Sequence, residues 1–145
     1  MRALVISDVH ANLVALNAVL KAAKEIGYDT VYCLGDLVGY GPRPDECVSK
    51  IRDLPSVSCV MGNHDAAVSG YISIDSFNQD AQQSVHWGID HVNASNLQYL
   101  NHLPDLLVQD GCTIVHGSPR NPIWEYILDS YTARMNYEFF ETQFC

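Results

Sequence analysis

Asp8-Val9-His10, Gly35-Asp36 and Gly62-Asn63-His64-Asp65 each stand directly behind an apolar, β-branched run, at residues 3–6, 31–34 and 57–61. Together they offer carboxylates, a carboxamide and imidazoles, and no thiolate. That donor set suits hard or borderline divalent ions such as Mn, Fe, Zn, Ni or Mg. Asp36, which arrives between the other two clusters, is placed to bridge two ions. A pair of ions about 3.5–4 Å apart can hold a phosphate and generate a hydroxide nucleophile from bound water. His64 then reads as a general acid, since an imidazole protonated near neutral pH can give its proton to a departing alkoxide, and Asp65 reads as its orienting partner. Any one of these clusters alone is an ordinary turn or cap, and Asn63 alone is most simply a turn residue. Three of them behind three strand-like runs make chemistry the better reading.

The spacing says which elements must position them. Asp36 lies 28 positions after Asp8, and Asn63 lies 27 after Asp36. Each interval is about one strand–helix–strand unit. In an open parallel sheet such units bring every strand back in the same direction, so residues just past the strands gather at one rim, where ligands bind. The helices are legible too. Asn12 is placed to cap a helix carrying Leu13, Leu16, Leu20 and Ala23, stopped at Gly27. Pro44 opens a second with Asp45 and Glu46 in its first turn, and Pro55 follows its end. Phe77, Ala81, Val85, Gly88 and Val92 repeat at helical spacing, and Ser95 with Gln98 forms a capping-box pattern before Leu97, Leu100 and Leu103. Residues 106–109 and 112–115 flank Asp110-Gly111, a strong hairpin signal, and His116 stands at the exit of the second strand. A last helix is expected from about Tyr131 to Glu141, and Phe144-Cys145 looks like the opening of another buried strand. The expected fold class is α/β, with two packed, mostly mixed sheets flanked by helices, in a single domain spanning residues 1–145.

Composition narrows the class further. With 145 residues and 48% apolar content, the chain can bury a real core. No apolar run approaches the ~20 residues needed to span a bilayer. The short apolar start lacks a signal-peptide core, so the expected location is cytoplasmic, with no membrane partner. A net charge of −9 argues against a long nucleic acid and leaves a small phosphorylated substrate open, since bound cations would reverse the local charge. An oligomer is compatible with all of this. The five cysteines show no metal-binding spacing, and Cys33, Cys59 and Cys112 read as buried thiols within strands. His86, His91 and His102 read as surface or packing histidines. Tyr40 stands in the loop Gly39-Tyr40-Gly41-Pro42-Arg43, where both substrate contact and packing remain open.

Asp8-x-His10, Gly35-Asp36-x-x-Gly39, Gly62-Asn63-His64-Asp65 and His116-Gly117 resemble four of the five ordered motifs of the calcineurin-like metallophosphoesterase superfamily. The Gly39–Pro42 loop and the Phe77-Asn78 helix start resemble its small prokaryotic phosphodiesterase-like branch. The resemblance implies a sandwich flanked by helices and a two-metal hydrolase acting on phosphodiester or small phosphomonoester bonds, with manganese the first expectation for both ions. It implies that Asp8 and His10 hold one ion, Asp36 bridges, Asn63 and His116 hold the other, and His64 is the acid. The fifth motif, Gly-His-x-His, is absent from these 145 residues, so the chain is expected to be truncated before it and to have low activity. Protein Ser/Thr phosphatases of the superfamily carry an Arg after the Gly-Asp cluster and a Glu where Asp65 stands, which disfavours a phosphoprotein substrate here. The competing reading is a non-catalytic interaction scaffold of the same fold; a nucleotide- or nucleic-acid-cleaving enzyme is a third.

Overall fold

The computed structural model describes residues 1–144, with side chains through residue 140. The three expected strands, β1 (Ala3–Ile6), β2 (Thr30–Cys33) and β3 (Val57–Cys59), form one parallel sheet in the order β1-β2-β3. Its register pairs Ile6 with Cys33 and Cys33 with Cys59, so the three strands end side by side.

Helices α1 (Leu13–Ile26) and α2 (Pro44–Arg52) make the crossovers. The Asn12 side chain accepts the Ala15 N–H at 3.0 Å and starts α1, and Gly27, at φ 80°, ends it. Pro44 opens α2, whose Cys47, Val48 and Ile51 are buried against the sheet together with Leu16 and Leu20 of α1. Each element therefore starts and stops where its local chemistry directs, and each buries the face that its apolar spacing marks.

After β3 the chain turns at once into a short helix, α3 (Asn63–Val68), followed by α4 (Gln79–His91) and α5 (Ala94–Asn101). Ala81, Val85 and Gly88 of α4 are buried, as their spacing requires. The capping box expected at Ser95 is not formed. Asn93 caps α5 instead, accepting the Asn96 N–H at 2.9 Å, and leaves Ser95 inside the first turn. A carboxamide two residues upstream takes the orphan donor first. Asp45 of α2 accepts the Asn93 N–H at 2.8 Å, which docks α5 on α2.

Strands β4 (Leu106–Gln109) and β5 (Cys112–Val115) form the antiparallel hairpin. Asp110 and Gly111, at φ 53° and 75°, turn it with both central residues left-handed, as a two-residue hairpin needs. The hairpin packs on the parallel sheet through Tyr32, Val60 and Ile114, with Leu34 and Leu107 beside them. The Tyr32 hydroxyl donates to Asp110 at 2.8 Å, and Ser58 donates to Gln109 at 2.7 Å. The α/β class and the packed pair of sheets are therefore as expected.

Two further expectations change. Cys112 is exposed, because it opens β5 at the hairpin turn, whereas Cys33, Cys47 and Cys59 are buried. The last helix, α6 (Ser130–Phe144), runs through Phe144, where a strand had been expected to open; Cys145 lies outside the described residues. Among the described residues no helix is long and apolar enough to cross a membrane.

Candidate metal centre

Past the ends of the parallel strands, the loops leave β geometry abruptly. Asp8, His10, Ala11, Asp36 and Tyr40 all have φ between 47° and 55°, a region that costs a non-glycine residue energy and clusters at functional sites. The cost is offset by hydrogen bonds between the loops. The Asp8, His10 and Ala11 amides donate to the Gly35, Asp36 and Leu37 carbonyls at 3.1, 2.8 and 2.9 Å. Two glycines permit the approach: a side-chain carbon on Gly35 would overlap the Gly62 backbone, and one on Gly62 would overlap Asp36.

Asp36 occupies the middle and is 2% exposed. Its Oδ1 accepts the His64 N–H at 2.9 Å. Its Oδ2 lies 3.7 Å from His10 Nε2 and 3.6 Å from His116 Nε2, so a single oxygen faces two imidazoles. Asp8 Oδ1 lies 3.5 Å from the same His10 nitrogen, and Asn63 Oδ1 lies 3.2 Å from the same His116 nitrogen. Burial, with the charge of Asp8 adding, raises the Asp36 pKa to about 7 against the pull of its backbone hydrogen bond.

The other ring nitrogens decide what the centre can hold. His10 Nδ1 is 3.1 Å from the Val38 carbonyl, and His116 Nδ1 is 2.8 Å from the Leu34 carbonyl. A carbonyl only accepts, so each Nδ1 carries the proton and, in a neutral ring, each Nε2 is a bare lone pair. Both lone pairs point at the acceptor oxygens of Asp8, Asp36 and Asn63. Oxygen and nitrogen donor atoms converging in this way fit a cation, and an imidazole anchored through its other nitrogen to a backbone carbonyl is how ligand histidines are oriented. Two sets, Asp8/Asp36/His116 and His10/Asp36/His64, each bring three such donor atoms within 4.8 Å of one another. Asp36 belongs to both.

His64 is 4% exposed and its ring packs edge-on against His10, at 5.0 Å, and Phe77, at 5.0 Å, with Tyr40 at 4.8 Å. Its Nδ1 is buried without a hydrogen-bond partner. Burial, reinforced by the neighbouring imidazoles, pushes its pKa down to about 4. The expected His64–Asp65 hydrogen bond is also not formed. Asp65 is fully buried, and its carboxylate accepts the amides of Leu37, Val38 and Gly62 at 2.9, 3.2 and 3.1 Å. It ties the start of α3 to the loop after β2 and leaves the imidazole alone.

The structure thus gathers Asp8, His10, Asp36, Asn63, His64 and His116 at one place and gives Asp65 a bracing position behind them. His86, His91 and His102 lie elsewhere; His91 and His102 bond to their own helix turns, at the carbonyls of Trp87 and Gln98. Tyr40 does face the centre, 4.9 Å from His10. Two residues escape sequence reasoning. Trp124 packs on Phe77 at 5.1 Å and so stands behind His64. The Tyr126 phenol, though largely exposed, has its pKa raised by partial burial and by the charges of Asp36 and Asp8, so it feels the carboxylates of the centre. Neither belongs to a periodic element, so only their aromatic character could have flagged them.

A sequence model of the family described as calcineurin-like phosphoesterase matches residues 1–142. An uncharacterized protein of Methanocaldococcus jannaschii is 44% identical over 132 residues, 88% of this chain and 54% of that protein. The chain therefore spans about half the length of the curated relative it matches. The crystal structure of a metallophosphoesterase from Sphaerobacter thermophilus is similar with a TM-score of 0.82 and 50% identity, covering 95% of this chain and 56% of that one. A hypothetical protein of Pyrococcus horikoshii OT3 shares the fold, with a TM-score of 0.79 at 23% identity over 97% of this chain and 66% of that one.

Proposed function

The chain belongs to the calcineurin-like phosphoesterase family, and we propose that it hydrolyses phosphodiester or small phosphomonoester bonds with two divalent ions, manganese foremost. Asp8, His10, Asp36, Asn63 and His116 would hold them, with Asp36 shared. The observation that supports this reading is the convergence of two Nε2 atoms on acceptor oxygens, each imidazole anchored from behind by a backbone carbonyl. When bound, such ions offset phosphate charge and acidify a water.

The chain's own groups supply the rest. His10 and His116 keep their donor atoms aimed without further ordering, because each ring is already fixed at Nδ1. The backbone N–H of His64 holds Asp36 Oδ1, which leaves Oδ2 for the shared position. The His64 ring is the group able to move a proton to a departing oxygen, and an anionic phosphate beside it would favour its protonated form. Tyr40 and Phe77 shield that ring from water. Asp65 positions the loop that carries Leu37 and Val38 and is not a proton carrier.

Hydrolysis of bis(p-nitrophenyl) phosphate tests the reading. Activity should require added Mn²⁺ or a similar ion and vanish with chelator. Turnover by chelated, metal-free protein would refute it, and metal binding without turnover of any phosphoester would favour the scaffold.

A further inference from the structure

A groove lies between the loop after β2 and helix α4, next to the metal centre only through Tyr40. Tyr40 forms its inner end, against His10 and His64. From there a cavity of about 320 Å³ runs past Pro42 to Asp80, Gln83 and Trp87 on α4. A second cavity, of about 550 Å³, shares Pro42 and Trp87 and continues to Arg43. Both are within the usual range for ligand sites, about 300–1,000 Å³. Asp80, Gln83 and Trp87 recur at helical spacing on one face of α4, while Ala81, Val85 and Gly88 bury the other.

Trp87 is the unusual member. It is 46% exposed in a groove, although burying an indole is strongly favourable. One face of its ring is stacked on His91, at 3.5 Å and an interplanar angle of 15°. His91 is itself held by its Nδ1 at 2.8 Å from the Trp87 carbonyl. The indole is thus backed and fixed, a platform for a second flat ring. Beside it, Gln83 offers both a donor and an acceptor, and Asp80 offers a carboxylate that accepts from amines or hydroxyls and repels further phosphate.

We propose that this groove is a nucleoside subsite: the phosphate of the substrate lies at the metal centre, and its base stacks on Trp87. The substrate class is then a nucleotide-type phosphoester, with Gln83 and Asp80 reading the base edge or the ribose hydroxyls. The subsite deepens the phosphoesterase reading and rests on it for the position of the phosphate.

Calorimetric titration of the 145-residue chain with AMP, ribose 5-phosphate and adenosine, with Mn²⁺ and with chelator, tests it. With Mn²⁺, AMP should bind at least about tenfold more tightly than ribose 5-phosphate, in line with base–aromatic stacking. Trp87→Ala should abolish that preference while leaving ribose 5-phosphate binding unchanged, which also shows the variant to be folded. Trp87→Phe should retain most of the preference, and Gln83→Ala should reduce it. Adenosine binding that survives chelator and is lost in Trp87→Ala would support the subsite even if no phosphoester were hydrolysed, so the two readings can fail separately. Equal affinities for AMP and ribose 5-phosphate in the wild-type chain, or a preference that persists in Trp87→Ala, would overturn the proposal.

Discussion

The rim of the parallel sheet and the segment that follows the hairpin are built on opposite plans. At the rim, residues 8–11 and 35–41 are locked amide to carbonyl, hold left-handed backbone at non-glycine positions, and bury Asp36 and Asp65 almost completely. In the segment after His116, Tyr126, Ile127, Leu128 and Tyr131 stand exposed, and order comes from short local turns and a few side chains: Ser118 and Asn136 both donate to Glu125, at 2.6 and 2.7 Å. The rim fixes atoms for chemistry through its backbone, and the later segment brings aromatic groups near them with less packing behind. Substitutions in the rim should therefore cost far more than substitutions in the segment.

The largest effect should come from Asp36→Asn. Losing a group behind a ligand typically costs 10–100-fold in metal affinity, so loss of the shared carboxylate should cost more than about 100-fold. Elemental analysis should show occupancy falling at both sites, not at one. His64→Ala should retain metal yet lower kcat by about 10²–10⁴-fold on a poor leaving group, the usual reach of general acid catalysis. Nitrophenolate needs little protonation to leave, so its ester should lose less. Equal losses on both substrates would move His64 from proton transfer to binding.

Asp65→Ala strands three buried amides, each worth roughly 1–3 kcal/mol when unsatisfied. Chemical denaturation should record a drop of several kcal/mol by that estimate. In whatever fraction folds, leaving-group dependence should match the wild type, whereas a true His64–Asp65 pair would alter it. The same carboxylates set a pH dependence. Burial raises Asp36 and Asp65 to about 7, above their ordinary value of 3.8. The folded state then binds their protons more tightly than the unfolded chain, so stability is fullest below pH 4 for these two groups and is lost as pH rises to about 7. Melting of chelated protein should fall across that window, and Mn²⁺ should restore it. The smallest effect should be Leu128→Ser, within about 0.5 kcal/mol as at other exposed sites. A larger change would mean that the segment packs more tightly than its exposure indicates.

How legible this was depended on how local each cause is. Asp8, His10, Asp36 and Asn63 were readable because a strand-like run followed by a polar pair at βαβ spacing already implies a shared rim. The place of His116 was readable because Asp110-Gly111 dictates a hairpin whose second strand ends there, whereas its role as a ligand came only from the family resemblance. Asp65 was misread because its partners, the Leu37 and Val38 amides, lie 28 and 27 positions away, and nothing in the sequence announces a backbone acceptor over a neighbouring imidazole. The burial of His64 was not legible because it depends on Phe77 and Tyr40 closing over it from two other segments. Asn93 and Ser95 are both good caps, and only docking on Asp45 selects the first. Trp124 and Tyr126 carry no periodicity, so their approach to the centre comes from tertiary packing alone.

If the acceptor cluster holds two ions that share Asp36, as proposed, the Mn²⁺ stoichiometry must show it. Titration of the metal-free chain, read by calorimetry and by the spin coupling of neighbouring Mn²⁺ ions in electron paramagnetic resonance, should give two ions per chain with a coupled signal, and Asp36→Asn should lose the coupling. A single uncoupled ion, or none, would rule out a two-ion centre.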